Sequence, residues 1–202
     1  MAMKLLTEYN LFDVKPEEVE KSVVENNGAM ILSGVLQKAN TLNQNGRVYP
    51  LHILQREVNN YQKFIIETRA LGTLDHEDTS VISLQKASHV IIEAKMENET
   101  VYGRLKVLNT TNGKDLQALV RDGIKLGISS RGVGSLKKEG DHYVVQDDYQ
   151  LICFDFVSEP STPGAFMMKE GKDISDEEIR ILFDKTDRIS RIVNDILSHR
   201  HI

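Results

Sequence analysis

Two stretches hold residues whose types and spacing could do chemistry together. Gly127-Ile128-Ser129-Ser130-Arg131-Gly132-Val133-Gly134-Ser135 sets paired hydroxyls among three glycines, and Leu71-Gly72-Thr73-Leu74-Asp75-His76-Glu77-Asp78 leads from a short apolar run to one histidine among carboxylates. A serine hydroxyl is a poor nucleophile until a base accepts its proton as it attacks. Histidine is the side chain best suited to that task near neutral pH. The two stretches together point to a serine hydrolase.

On a strand, successive side chains point to opposite faces, so Ile128 and Ser130 share one face while Gly127, Ser129 and Arg131 share the other. With Ile128 in the core, Ser129 is expected to face outward beside glycine, where a substrate can approach. The plainer reading is that both hydroxyls only satisfy backbone groups near a bend. His76 is the best base, since it stands at the end of a short strand. By comparison His52 falls in the first turn of a helix, His89 opens a strand, His142 lies near a turn, and His199 and His201 are in the tail. Asp155 interrupts Leu151-Ile152-Cys153-Phe154-Asp155-Phe156-Val157, and an unpaired buried charge there is strongly unfavourable. Three arrangements relieve that conflict: a histidine partner, an exposed strand edge, or a salt bridge to Lys or Arg. Arg131 is open to two readings, a contact for a substrate carboxylate or a surface ion pair. Paired His or Cys spacing for a metal is absent, Asp75, His76 and Asp78 have no second cluster to support them, and Gly132-Val133-Gly134 is too short for a dinucleotide fingerprint. Neither a metal nor a cofactor is expected.

The elements that must position these residues are short. Strands are predicted over 29–36, 70–74, 126–131, 142–146 and 149–157, with a hairpin of 88–96 and 100–108 joined at Glu97-Asn98-Glu99. The segment 149–157 is apolar on both faces and reads as the central strand. Gly132 and Gly134 are expected to allow a bend. Residues 40–49 form a polar loop with an Asn45-Gly46 turn. A helix begins at Pro50, with Ile53, Leu54, Val58, Tyr61, Phe64 and Ile65 at helical spacing, and Thr110-Thr111-Asn112-Gly113 caps another that buries Leu116, Leu119, Val120 and Ile124. A short helix from Pro16 ends at Asn26-Asn27-Gly28. Near the C-terminus Ser175 and Glu178 form a capping box, followed by a heptad seam of Ile179, Leu182, Thr186, Ile189, Val193 and Ile196. With so few heptads, docking on its own domain is preferred to pairing with a partner. This mixture predicts an α+β fold or a closed barrel with helices outside, and disfavours a doubly wound parallel sheet.

Composition narrows the class. The 202 residues suit one domain with a terminal extension, and 40% hydrophobic with 27% charged residues are values of a folded soluble protein. A net charge of −5 argues against nucleic acid as a partner, since no basic face is concentrated anywhere. The single cysteine, Cys153, allows no internal disulfide and suits a reducing, cytoplasmic compartment. The first residues lack the apolar core of a signal peptide and no run is long enough to span a membrane.

With serine, histidine and aspartate laid out in this order, the chain resembles the bacteriophage prohead (capsid maturation) proteases of T-even-like tailed phages. The matching stretches are Asn43-Gln44-Asn45-Gly46-Arg47-Val48-Tyr49-Pro50, Leu71 to His76, Val101-Tyr102-Gly103-Arg104, Gly127 to Leu136, and Asp155-Phe156-Val157 with Pro160-Ser161. Many relatives carry proline after the histidine, where this chain has Glu77. The resemblance implies an antiparallel β-barrel surrounded by helices, like the herpesvirus assemblin proteases. It also implies His76 as general base, Ser129 as nucleophile and Asp155 as the residue orienting His76. Ser130, Arg131 and Gly132 are candidates for substrate or oxyanion contacts, with the Ser161 to Gly164 loop a rival for the oxyanion. The implied organisation is an N-terminal segment 1–27 that is a candidate propeptide, a protease domain 28–168 and a C-terminal amphipathic helix over 169–202. Such enzymes sit inside the immature capsid in the host cytoplasm, cut scaffold and major capsid proteins and often themselves, and leave room for a homo-oligomer. Cleavage follows a glutamate two positions after an aliphatic residue, a pattern that Leu6-Thr7-Glu8 fits. The competing expectations are an inactive scaffold or capsid-assembly module with the same barrel, and an esterase-like hydrolase. The latter lacks support because the Gly-x-Ser-x-Gly elbow and the order Ser, Asp, His are both missing.

Overall fold

The computed structural model describes residues 4–7, 10–12, 28–75, 77, 79–124 and 126–158. The described chain is mostly sheet with two helices. In order it forms β1 (Lys4–Thr7), β2 (Asn10–Phe12), β3 (Ile31–Lys38), β4 (Arg47–Val48), α1 (Leu51–Ile66), β5 (Leu71–Thr73), β6 (Ala87–Glu97) and β7 (Thr100–Val107). It continues with α2 (Thr111–Arg121), β8 (Leu126–Gly134), β9 (Leu136–Glu139), β10 (His142–Val145) and β11 (Gln150–Val157). No described helix is long and apolar enough to cross a membrane.

Two antiparallel sheets hold the core. One has the order β3-β7-β6-β5; in the other β8 lies between β11 on one edge and β1 with β2 on the opposite edge. A small third sheet, β4-β10-β9, stands apart. The two large sheets meet where Leu74, just past β5, makes a single parallel bridge to Phe156 of β11, and β2 packs beside β3. Among the described residues the strands do not close into a complete hydrogen-bonded barrel. The antiparallel sheet with helices outside agrees with the expectation; closure is not found.

The helices form for local reasons and pack for nonlocal ones. Pro50, with φ −58°, sets the start of α1, and the stripe Ile53, Leu54, Val58 and Tyr61 is buried against β6 and β11. Within α1 the buried Glu57 accepts the Leu151 N–H at 2.9 Å, and Arg56 donates to the Tyr149 carbonyl at 2.9 Å, so the helix also fixes where β11 begins. The Thr110 hydroxyl caps α2 by accepting the Gly113 N–H at 3.1 Å, and Leu116 and Val120 face β6 and β7. The hairpin at Glu97-Asn98-Glu99 forms with Asn98 in the left-handed region, φ 54°.

Three expectations need correction. The central strand of its sheet is β8, not β11. Its polar residues made it look half exposed, but it is paired on both edges and all nine of its residues are buried. Gly132 and Gly134 do not interrupt the strand; β8 continues through them, with a register irregularity on the facing strand between Leu151 and Cys153. Glycine is needed there because Tyr149 lies across the strand, and a Cβ on Gly132 would sit 2.5 Å from Tyr149 Cε2 and 2.6 Å from the Gln150 carbonyl oxygen. The mixed N-terminal region also supplies two strands, β1 and β2, which were not expected. The helix read from Pro16 to residue 27 and the one beyond 175 lie outside the described residues.

Gly72 marks the closest approach of the two sheets, since a Cβ there would run into the Phe154 carbonyl oxygen and His89 Nε2. Backbone and a buried ring cannot both move aside. Gly72→Ala is expected to destabilise by about 3 kcal/mol or more, read as a fall in the denaturant midpoint or as loss of soluble protein. Gly140→Ala, where φ is +61° but nothing lies within 4 Å, should cost about 1 kcal/mol.

Candidate active site

Register builds the site. Pairing of β11 with β8 sets Asp155 opposite Ser129 and Cys153 opposite Arg131, while Phe156 faces Ile128 and Phe154 faces Ser130. Opposed residues of an antiparallel pair share a face. Ser129, Arg131, Cys153 and Asp155 therefore form one group, and Ile128, Ser130, Phe154 and Phe156 form the other, with Ile128, Phe154 and Phe156 in the hydrophobic core. The parity expected for Ser129 and Ile128 holds. The expected exposure does not: Ser129, Ser130, Arg131 and Asp155 are each 0% exposed.

Asp155 is a convergence point. Its Oδ2 accepts from Arg131 Nε at 2.8 Å and its Oδ1 from Arg131 Nη2 at 3.2 Å, a two-pronged guanidinium–carboxylate pair. Oδ1 also accepts from the Thr73 N–H and from Thr73 Oγ1, both at 2.9 Å. Cys153 Sγ lies 3.4 Å and 3.5 Å from the two oxygens. Burial, and then the Asp155 charge, push the Cys153 thiol well above its usual range, so it is a neutral donor rather than a thiolate nucleophile. Of the three arrangements open to Asp155, the described bonds show the salt bridge, and they exclude the exposed edge. Arg131 is not on the surface: its third nitrogen, Nη1, donates to the Thr79 carbonyl in the loop after β5.

The remaining candidates are placed as follows. Ser130 Oγ, on the core face opposite Phe154, has no hydrogen-bond partner among the described residues. Gly132 lies under Tyr149 and pairs with Leu6 of β1 and Leu151 of β11. His76 and the Ser161 to Gly164 loop lie outside the described residues. The chain just before His76 is described: the Asp75 N–H donates to the Phe156 carbonyl at 2.8 Å, Thr73 Oγ1 lies 2.8 Å from the Asp75 carbonyl, and Asp75 has a φ of 70°. A non-glycine residue with positive φ marks a backbone held in place by its surroundings. That strained residue stands beside the end of β11, next to Asp155.

His89 was set aside as a residue merely opening a strand. It is fully buried, with Nε2 3.0 Å from the Phe154 carbonyl, Nδ1 2.9 Å from Ser88 Oγ, and its ring edge-on to Phe156 at 4.9 Å. A carbonyl only accepts, so Nε2 carries the proton and Nδ1 accepts from Ser88. Burial lowers its pKa from 6.5 to about 4, with the nearby Asp155 charge and the Phe154 carbonyl opposing only in part. No local pattern in the sequence marks this role, because it arises from two sheets meeting.

Comparisons with known proteins bear on the family and the fold. A family model described as prohead core protein serine protease matches residues 7–178. The prohead core protein protease of Enterobacteria phage T4 is 32% identical over 143 residues, covering 68% of this chain and 68% of that protein. The solved structure of the bacteriophage T4 capsid assembly protease matches with a TM-score of 0.68 at 24% identity, covering 78% of this chain and 99% of that one. At that identity the structural match speaks for the fold.

Two measurements test the site's electrostatics. Asp155→Leu and Arg131→Met should each cost about 3–5 kcal/mol by stranding a buried partner, whereas the two replacements together should cost less than the sum, with a coupling of about 2 kcal/mol in denaturant unfolding. His89 is neutral in the fold and protonated when unfolded below its ordinary value. Its contribution is therefore intact above pH 6.5 and is lost as pH falls through about 4. The resulting loss is on the order of 3 kcal/mol. His89→Gln should flatten the stability profile across that window.

Proposed function

The chain belongs to the prohead core protein serine protease family and is a protease of phage prohead maturation. On that premise we propose that it is a serine endopeptidase in which Ser129 is the nucleophile, His76 the general base and Asp155 the residue that orients His76. The observation that carries this reading is the cross-strand pairing of Ser129 with Asp155, beside the point where Leu74 and Asp75 attach to Phe156. That attachment brings Asp75 to the β11 end of the site, and Asp155 holds Thr73 two residues earlier.

In the proposed reaction the Ser129 hydroxyl attacks the peptide carbonyl as His76 takes its proton. His76 then gives that proton to the leaving amine, and water hydrolyses the acyl-enzyme by the same exchange. The tetrahedral oxyanion needs backbone donors; Gly132 and the Ser161 to Gly164 loop are the candidates. The linkage of the two sheets at Leu74 and Phe156, and the packing of β2 beside β3, support a barrel of the assemblin type with α1 and α2 outside. Scaffold and major capsid proteins inside the immature capsid are the proposed substrates.

The N-terminal segment is proposed as a further substrate, with 28–168 as the protease domain and 169–202 as a C-terminal extension. Thr7 pairs with Arg131 and Asn10 with Ile128, so the segment is anchored to β8 on either side of the Ser129-Ser130 pair. A cut after Glu8 would fall between these two anchors. The full burial of Ser129 favours one second reading, an inactive capsid-assembly module with the same fold.

Intact mass against time separates the two. Wild-type protein at high concentration should shorten with cuts after glutamates, and Ser129→Ala should not. Equal shortening of both would reject Ser129, and an unchanged wild type that also fails to react with a fluorophosphonate probe would establish the inactive module.

A further inference from the structure

The loop between β5 and β6 carries His76 and has no regular secondary structure, so its shape depends on a few fixed points. On the approach, Asp75 is bonded to Phe156 and held at positive φ. Past position 76, Arg131 Nη1 grips the Thr79 carbonyl, and Thr79 Oγ1 accepts the Val81 N–H at 3.2 Å. Between these anchors stands Glu77. Asp75, two residues earlier, is exposed in the ordinary way for a loop carboxylate, but Glu77 is only 8% exposed. Its Oε2 accepts the Ser83 N–H at 3.1 Å and its Oε1 lies 3.0 Å from Lys86 Nζ. Ser83 in turn accepts the Lys86 N–H through its carbonyl at 3.1 Å.

Burying a carboxylate is unfavourable unless its oxygens are bonded, and both oxygens of Glu77 are. The two bonds run from the first limb of the loop to the second, closing a ring of chain from residue 77 to residue 86. Among the described residues Glu77 is the only side chain that ties the two limbs together in this way. Its backbone follows directly on His76. A shift of the loop at residue 77 would therefore be passed along the backbone to position 76.

We propose that Glu77 is a positioning residue: its buried carboxylate staples the two limbs of the β5–β6 loop, and the general base proposed at position 76 acts efficiently only while that staple holds. This deepens the serine protease reading and rests on it. Of the two bonds, the one to Ser83 carries the effect, because Lys86 is 57% exposed and its ion pair is screened by water.

The test compares full-length Glu77→Ala, Glu77→Gln and Lys86→Met on an internally quenched peptide built around a bond that the wild type cuts in its own chain, together with the rate of fluorophosphonate labelling. Misplacing a catalytic group by about 1 Å can cost about 100-fold. Glu77→Ala is therefore expected to lower kcat by about 10- to 100-fold, to leave KM within about twofold, and to slow labelling in parallel. Glu77→Gln still offers an oxygen to Ser83 and should stay within about threefold of wild type, as should Lys86→Met, since an exposed ion pair contributes little. Wild-type kcat in Glu77→Ala overturns the proposal, as does a loss confined to KM, or one matched by the fraction of unfolded molecules in circular dichroism. The Ser83 amide gives a reading independent of turnover: its hydrogen exchange must speed up in Glu77→Ala, and unchanged protection also overturns the proposal. Ser129→Ala run in parallel reports on the nucleophile separately, because continued cutting by that variant rejects Ser129 whichever way Glu77→Ala falls.

Discussion

The structure depends on one buried ion pair. Arg131 and Asp155 are both removed from water, and neither tolerates that alone. Because the pair spans β8 and β11, its geometry fixes their register, and with it the placing of Ser129 opposite Asp155. The pair also reaches outward: Asp155 holds Thr73 before His76, and Arg131 holds Thr79 after it. Two charges thus lock a strand pair and the chain on either side of position 76. A hydrophobic pair of similar volume could fill the space but could not grip backbone groups on either side.

A second constraint is the lack of room where the sheets meet. Gly72, His89 and the Phe154 carbonyl occupy one point, so the imidazole serves as a spacer with a hydrogen bond at each end. A neutral ring suits that place because both of its neighbours can be satisfied without introducing charge. This explains why a histidine so near the site has no need to be the base, and why its burial and lowered pKa belong to architecture.

What could be read from the sequence follows the range of the interactions concerned. The stripe Ile53, Leu54, Val58 and Tyr61 and the Thr110 cap are local signals, and both helices appear where they point. Asp155 was legible as a conflict, a carboxylate in an apolar strand that had to find a partner. That its described partners are Arg131 and Thr73 was not legible, because they come from distant segments brought together only by folding. The same cause hid the central position of β8: its polar side chains look solvated until cross-strand bonds are counted. The strands β1 and β2 are too short for any periodicity to show, and they exist because β8 offers them an edge. Glu77 stood out in the sequence only as a departure from the proline of many relatives; that its carboxylate is buried and bonded was not legible.

The pairing of β1 with β8 has a consequence for how copies of this chain behave in a crowd. Lys4 to Thr7 occupy one edge of β8 from Gly134 back to Arg131, so any loss of those residues leaves four consecutive positions of a central strand unpaired on that edge. A bare edge is a template for another extended segment. The N-terminal strand of an intact copy has the sequence to fill that edge, a one-way donation that would in turn bare the edge of the donor. The terminus that caps one sheet is thus also the means by which neighbouring copies could be tied together, and the balance between the two is set by their concentration.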